Sequence, residues 1–308
     1  MIELNEMFNT CTDPNSYIRV NAELLNDIYV GFNQEMMKSI VIIGKSKQKL
    51  VKSTKSINAN ISSRSDGRVS LKFSLIENRY SSVFYKFCED IIQNSEMISQ
   101  AKVISHSLSR WKVWKALFVN SSGSIMGDKK IMGLIGELMF LKNHMINSYN
   151  MADSISSWMG PHGNPKDFQI DDKWFEIKAV KESKQSVIIS SFEQLDSKLG
   201  GYLVIIKLQN TSKESVAKLN LNLLVTDIAV NIKENEVFEN FMEKLKNVGY
   251  EFNEEYENHC FEYKSTVYYK VDSDFPVVRR NMVPKQVLKI SYELSFVNIN
   301  EERIAKWI

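Results

Sequence analysis

The chain has 308 residues, of which 44% are hydrophobic and 11% aromatic, enough to bury a sizeable core and to form one large domain or two to three small ones. No run approaches the roughly 18 apolar residues of a membrane span, and Met1 to Asn15 lacks the basic-then-apolar order of a secretion signal, so no membrane span is expected and a cytoplasmic protein is. A formal net charge of +2 is too small to imply a nucleic-acid partner by itself, and three widely spaced cysteines, Cys11, Cys88 and Cys260, argue against a disulfide framework or a structural zinc site.

Along the chain, Val41 to Ile43 and Val69 to Leu75 suit strands, and Phe84, Phe87, Cys88 and Ile91 follow the i, i+3, i+4, i+7 spacing of an amphipathic helix. Trp111 and Trp114 are expected in a core. The charge is unevenly spread: Lys38, Lys45, Lys47, Lys49, Lys52, Lys55, Arg64, Arg68, Lys72 and Arg79 face only Asp66 and Glu77. Such a stretch is either a solvated basic face or a surface that neutralises phosphates in a salt-sensitive, sequence-independent way. A Ser/Gly segment, Asn120 to Asp128, is a candidate boundary. A helix is predicted over Lys129 to Met145, then a loop with Gly160, Pro161, Gly163 and Pro165. Strands follow at Asp167 to Ile170 and Lys173 to Val180, joined by an Asp171-Asp172 turn. A strand at Val187 to Ser190, a helix from Phe192 to Leu199 and a strand at Tyr202 to Leu208 complete this part. Beyond it the pattern predicts Leu221 to Ile232 as strand, Glu234 to Val248 as helix, and strands at Phe261 to Val271 and Val287 to Phe296. The expected division is a basic, β-rich N-terminal region with a helix (1–118), a core (119–232) and an α+β C-terminal extension packed on that core (233–308).

Strand alternation puts Trp174, Glu176 and Lys178 on one face and Phe175, Ile177 and Ala179 on the other. A two-residue turn at Asp171-Asp172 pairs Ile170 with Lys173 and, further on, Asp167 with Glu176. Two opposed carboxylates are destabilising unless the register differs or positive charge lies between them, and a divalent cation would supply it. Glu137 falls on the apolar stripe of the preceding helix, between Leu134 and Leu141. It is either a third acid at the same place or a buried acid bonded to a Trp or a backbone N–H. Gly133 and Gly136 each cost that helix about 1 kcal/mol relative to Ala, for which a close approach to the sheet is the physical reason. Three carboxylates, a backbone carbonyl and water suit Mg²⁺, with Mn²⁺ able to substitute, and Lys178 would position or polarise a water beside a scissile phosphate.

Asp167 followed by Glu176-Ile177-Lys178 resembles the signature of PD-(D/E)xK nucleases, the restriction-endonuclease-like fold. Gly133 to Glu137, Trp158 to Pro161, Lys166 to Phe168 and Ser190 to Leu195 extend the likeness to the DUF4420 group of bacterial proteins, whose homologues resemble restriction and phage-defence components. The core likeness covers roughly Lys129 to Leu208, and Phe275-Pro276 and Pro284 to Tyr292 also look like that group. Lys166 stands where the signature has proline, and is expected as a surface charge or a phosphate contact. The resemblance implies an α/β (α+β) fold with a central mixed sheet flanked by helices. It implies metal ligation by Asp167, Glu176, Glu137 and the Ile177 carbonyl, assistance to the nucleophile by Lys178, and a softer role near the site for Gln194.

Gly44-Lys45-Ser46 lacks the leading glycine of a phosphate-binding loop, Ser39 standing there. His106, His144, His162 and His259 show no ligand spacing; His162 alone lies near the proposed site in sequence. The expected function is a Mg²⁺-dependent endonuclease acting on double-stranded DNA in restriction or anti-phage defence, compatible with a homodimer and with partners such as a methyltransferase or ATPase. The competing expectations are a non-cleaving nucleic-acid-binding or scaffold subunit of a defence complex and a recombination or repair nuclease.

Overall fold

The computed structural model describes residues 4–118 and 125–299; residues 120–124 of the Ser/Gly segment lie outside them. The chain divides into two compact units, Met1–Gly123 with Thr226–Glu239, and Ser124–Val225 with Asn240–Ile308.

The first unit begins with a helix, α1 (Leu4–Thr10), and a five-stranded antiparallel sheet: β1 (Tyr17–Arg19), β2 (Asp27–Phe32), β3 (Lys38–Gly44), β4 (Ile57–Ser63) and β5 (Val69–Leu75), in the order β1-β2-β3-β5-β4. Helices α2 (Ser81–Ser95) and α3 (Val103–Trp114) follow. The expected stripe Phe84, Phe87, Cys88 and Ile91 is buried, with the Phe87 ring 5.1 Å from Phe73 of β5 and 5.6 Å from Trp111 of α3. Both tryptophans are core residues. Trp114 also donates from Nε1 to Asp90 Oδ2 at 2.8 Å, and the same carboxylate is forked by Arg110, whose Nε donates at 2.8 Å.

Nine of the ten residues of the basic stretch fall into two kinds. Arg68 pairs with Asp27 and Asp66, Arg64 with Asp66, and Arg79 with Glu77, while Lys38 lies over the Tyr85 ring. Lys45, Lys47, Lys49, Lys52 and Lys55 are all exposed in the loop between β3 and β4.

The second unit opens with α4 (Asp128–Phe140), which runs on through a π-helical turn, Leu141–Met145, into α5 (Ile146–Ser148); α6 (Met151–Ser157) follows. Its main sheet is mixed, in the order β10-β9-β7-β6, from β6 (Phe168–Ile170), β7 (Lys173–Lys181), β9 (Gly200–Asn210) and β10 (Phe261–Val271). The β6–β7 and β9–β10 pairs are antiparallel and the central β7–β9 pair is parallel. The fold is thus mixed α/β, as expected. Helix α4 packs on β7: a Cβ at Gly136 would lie 2.8 Å from Ala179 Cβ, which accounts for that glycine. Gly133 has nothing within 4 Å of such a position, so the close-approach reading fails there. Gly201 is required by Trp174, whose indole occupies the space a side chain would fill while its Nε1 donates to Leu199 O at 3.0 Å.

The expected strand at Val187 to Ser190 forms as β8 (Ser186–Ile189) and pairs with β11 (Tyr292–Ser295) in a separate two-stranded sheet. Three expectations need correction. Of Val287 to Phe296 only β11 is strand. Phe192 to Leu199 holds only a 3₁₀ turn, Phe192–Gln194, because its polar groups bond outward: Gln194 Oε1 accepts from Ser190 N at 2.7 Å and Asp196 Oδ2 from Arg280 N at 3.0 Å. Leu221 to Ile232 is a helix, α7 (Leu221–Asn231), followed by α8 (Asn235–Asn247). Buried Leu221, Leu224, Val225, Ile228 and Ile232 follow helical spacing, and Asn220 caps the start by accepting from Leu223 N at 2.9 Å.

Candidate metal and cleavage centre

The β6–β7 hairpin has the expected register, Ile170 opposite Lys173 and Phe168 opposite Phe175, which leaves Asp167 one residue before β6 and level with Glu176. The two acids do not simply repel across the ladder. Asp167 turns its Oδ2 to accept from Ile177 N at 2.7 Å, and Glu176 Oε1 pairs with Lys178 Nζ at 2.8 Å on the shared face. Glu176 is 1% exposed, and its second oxygen, Oε2, has no partner among the described residues.

Glu137 reaches the same region from α4. Trp158 Nε1 donates to its Oε2 at 2.7 Å, so both readings of this acid meet: it is bonded to a tryptophan and it stands beside Asp167. The segment Trp158 to Gly160 is drawn in by Met159 N and Gly160 N, which donate to Asp167 O at 2.7 and 3.1 Å. Trp158 is anchored by Lys244 of α8, a buried ammonium that donates to the carbonyls of Ile155, Ser156 and Trp158 at 2.7, 3.0 and 2.6 Å. A Cβ on Gly160 would stand 3.1 Å from Glu137 Oε2 and 3.3 Å from Asp167 Oδ1. The two carboxylates therefore flank one point that only glycine leaves open.

Gln194 joins the group through its side chain. Lys178 Nζ donates to Gln194 Oε1 at 3.3 Å, the oxygen that also accepts from Ser190 N. Lys166 is no surface charge: it is 6% exposed, donates from Nζ to Gln194 O at 2.7 Å, and sits 3.7 Å over the Trp174 ring. Trp158, Gly160 and Lys244 are parts of the site to which the sequence alone assigns no role there, and Lys166, expected as a surface charge or a phosphate contact, is instead buried against Gln194 and Trp174. His162 lies exposed in a 3₁₀ turn, Gly160–His162.

Electrostatics follow from crowding three acids into little water. Burial, then the charge of Asp167, pushes Glu137 up to about 8, against the pull of Trp158 and Lys178. Burial pushes Asp167 up to about 6, opposed by the Ile177 N–H, Lys178 and Lys166, and holds Glu176 well above its ordinary value, with Asp167 adding to the effect. Burial lowers Lys166 to about 8.

Among the described residues, no three His, Cys, Asp or Glu side chains form a ready cage for a metal ion. The donor set still fits Mg²⁺, which binds through one or two carboxylates and keeps several waters: all the donors are oxygens, Glu176 Oε2 is buried without a partner among the described residues, and the space at Gly160 lies between two more carboxylates. Gly160→Ala is expected to weaken divalent-cation affinity by about 10- to 100-fold with little change in melting temperature, as read by Mn²⁺ titration and thermal denaturation. Unchanged affinity would separate the Glu137–Asp167 gap from metal binding.

Comparison with protein families matches residues 4–296 to the family described as "Putative PD-(D/E)XK family member", DUF4420. No curated protein and no solved structure matches. With all but the chain's two ends covered by that match, the chain belongs to the DUF4420 family of PD-(D/E)xK proteins.

Proposed function

We propose that this protein is a metal-dependent endonuclease that hydrolyses phosphodiester bonds of double-stranded DNA, in restriction or anti-phage defence. The observation that carries the reading is Glu176, buried with one oxygen on Lys178 and the other unpartnered among the described residues, next to Asp167 and within the reach of α4 that brings Glu137. Asp167, Glu176 and Glu137 would hold Mg²⁺ or Mn²⁺, with the Ile177 carbonyl as a further ligand. Such a cation, when bound, lowers the pKa of water and offsets charge on the phosphodiester. Glu176 Oε1 and Gln194 Oε1 fix Lys178 Nζ, whose side chain is 18% exposed, so that it can meet a phosphate oxygen and the attacking water. The five loop lysines between β3 and β4 supply positive charge for the nucleic-acid backbone without reading sequence. Cutting both strands calls for two such centres, which a homodimer would provide, and a methyltransferase or ATPase would be a partner in a restriction setting.

A second reading is a nucleic-acid-binding or scaffold subunit of a defence complex that cuts little by itself; an incomplete set of acids and lysine would favour it, and Asp167, Glu176 and Lys178 are all present. A repair or recombination nuclease would share the centre and differ in substrate. The test is cleavage of plasmid, linear duplex and single-stranded DNA and of RNA by wild type and Lys178→Ala, with Mg²⁺, Mn²⁺ or EDTA, alongside duplex binding across a salt series. Metal-dependent duplex cutting that Lys178→Ala lacks is the expected result. Replacing the five loop lysines by serine is expected to flatten the dependence of log K on log salt by about 0.9 for each phosphate that is no longer neutralised. Binding without cutting under every condition would move the assignment to the subunit reading, and cutting confined to RNA or single strands would overturn the substrate.

A further inference from the structure

Two lysines flank Gln194, and they do different things. Lys178 meets its side-chain oxygen at 3.3 Å; Lys166 meets its main-chain oxygen at 2.7 Å. The Lys166 ammonium is closed off on its other side by the Trp174 ring, 3.7 Å away, and Trp174 is itself pinned by its bond to Leu199 O at 3.0 Å. The turn that carries Gln194 is a single 3₁₀ turn, Phe192–Gln194, too short to hold its own geometry through repeated helical bonds. Its orientation comes from the groups that grip it. Ser190 N holds the side-chain oxygen at 2.7 Å, and Lys166 holds the backbone.

We propose that Lys166 is a positioning residue that sets Lys178 indirectly, by holding the Gln194 turn with an ammonium that is itself backed by the Trp174 face. At 6% exposure, with Nζ engaged by a carbonyl and a ring, Lys166 acts inside the protein rather than on a phosphate. The lysine in place of the signature's proline thus adds a brace to the centre. The inference deepens the nuclease reading and rests on it for its catalytic consequence, but not for the geometry of Lys178.

The experiment compares Lys166→Met, which keeps the stem against Trp174 and removes the donor, with Lys166→Arg, which restores a donor able to stack on the indole. The activity-free readout is labelling of Lys178 by acetic anhydride, followed by mass spectrometry. Labelling is expected to rise by about 3- to 10-fold in Lys166→Met, through loss of the fixed geometry that protects a preorganised group, and to return to the wild-type level in Lys166→Arg. In cleavage assays Lys166→Met is expected to lose about 10- to 100-fold in kcat with KM nearly unchanged, and combining it with Gln194→Ala should cost little more than either change alone. Unchanged Lys178 labelling in a folded Lys166→Met protein overturns the proposal, as does a rise in KM with kcat intact, which would mark a direct role in holding substrate. Altered labelling in a protein that cuts no nucleic acid leaves the brace standing and removes the nuclease reading instead.

Discussion

Glu176→Gln is expected to slow the proposed cleavage by about a thousandfold or more and, at the same time, to stabilise the metal-free protein at mildly alkaline pH. Both effects come from one carboxylate. Glu176 is 1% exposed and held well above its ordinary value of 4.5, first by burial and then by Asp167. The folded chain therefore keeps a proton that the unfolded chain releases at about 4.5, so wild-type stability falls as pH rises from there towards the raised value. Glutamine does not titrate. The difference in melting temperature between Glu176→Gln and wild type should be small near about pH 5 and widen by about pH 8. Lys178→Ala should lose activity comparably but show no such gain, because it takes away the partner of a buried acid. An active Glu176→Gln protein, or one whose melting temperature tracks wild type at both pH values, would remove Glu176 from the centre.

Asp90→Ala carries the largest expected cost to stability, about 3 to 5 kcal/mol, since it strands Arg110 as an unpaired buried charge. Both side chains are fully buried. Asp90 accepts from Arg110, Trp114 and Asn94, and the guanidinium lies 4.5 Å from the Phe238 ring centroid. Replacing Asp90 and Arg110 together by leucine and methionine should cost far less, because no charge is orphaned. Urea denaturation of the three proteins measures this. A single substitution costing under about 1 kcal/mol would show the pair to be no more than a surface-grade interaction. Burial pushes Asp90 up to about 6 from 3.8 despite Arg110. The folded state thus binds the extra proton between those values, and the wild type should recover stability relative to Asp90→Asn as pH falls through that window.

What is legible in the sequence is local and periodic. The β6–β7 register follows from a two-residue turn and strand alternation, and the placing of Glu137 from its phase on α4; the structure keeps both. Lys166 looks like a surface charge in the sequence because a lysine beside a strand is ordinarily solvated, and its partners Trp174 and Gln194 are brought to it only by tertiary folding. The error at α7 has a different origin: Leu221 to Ile232 is rich in β-branched residues that suit strands, while the spacing of its buried residues and the Asn220 cap support a helix. The basic stretch can be counted but not sorted, because Asp27, which neutralises Arg68, lies 41 residues away.

The path of the chain between the units also limits how the protein can be remodelled. Residues 226–239 belong to the first unit although the second unit's residues lie on both sides of them. The coding sequence therefore has no single position at which one unit ends and the other begins. A chimaera made with one crossover would graft an incomplete unit, whereas exchanging the first unit whole requires a second insert spanning 226–239.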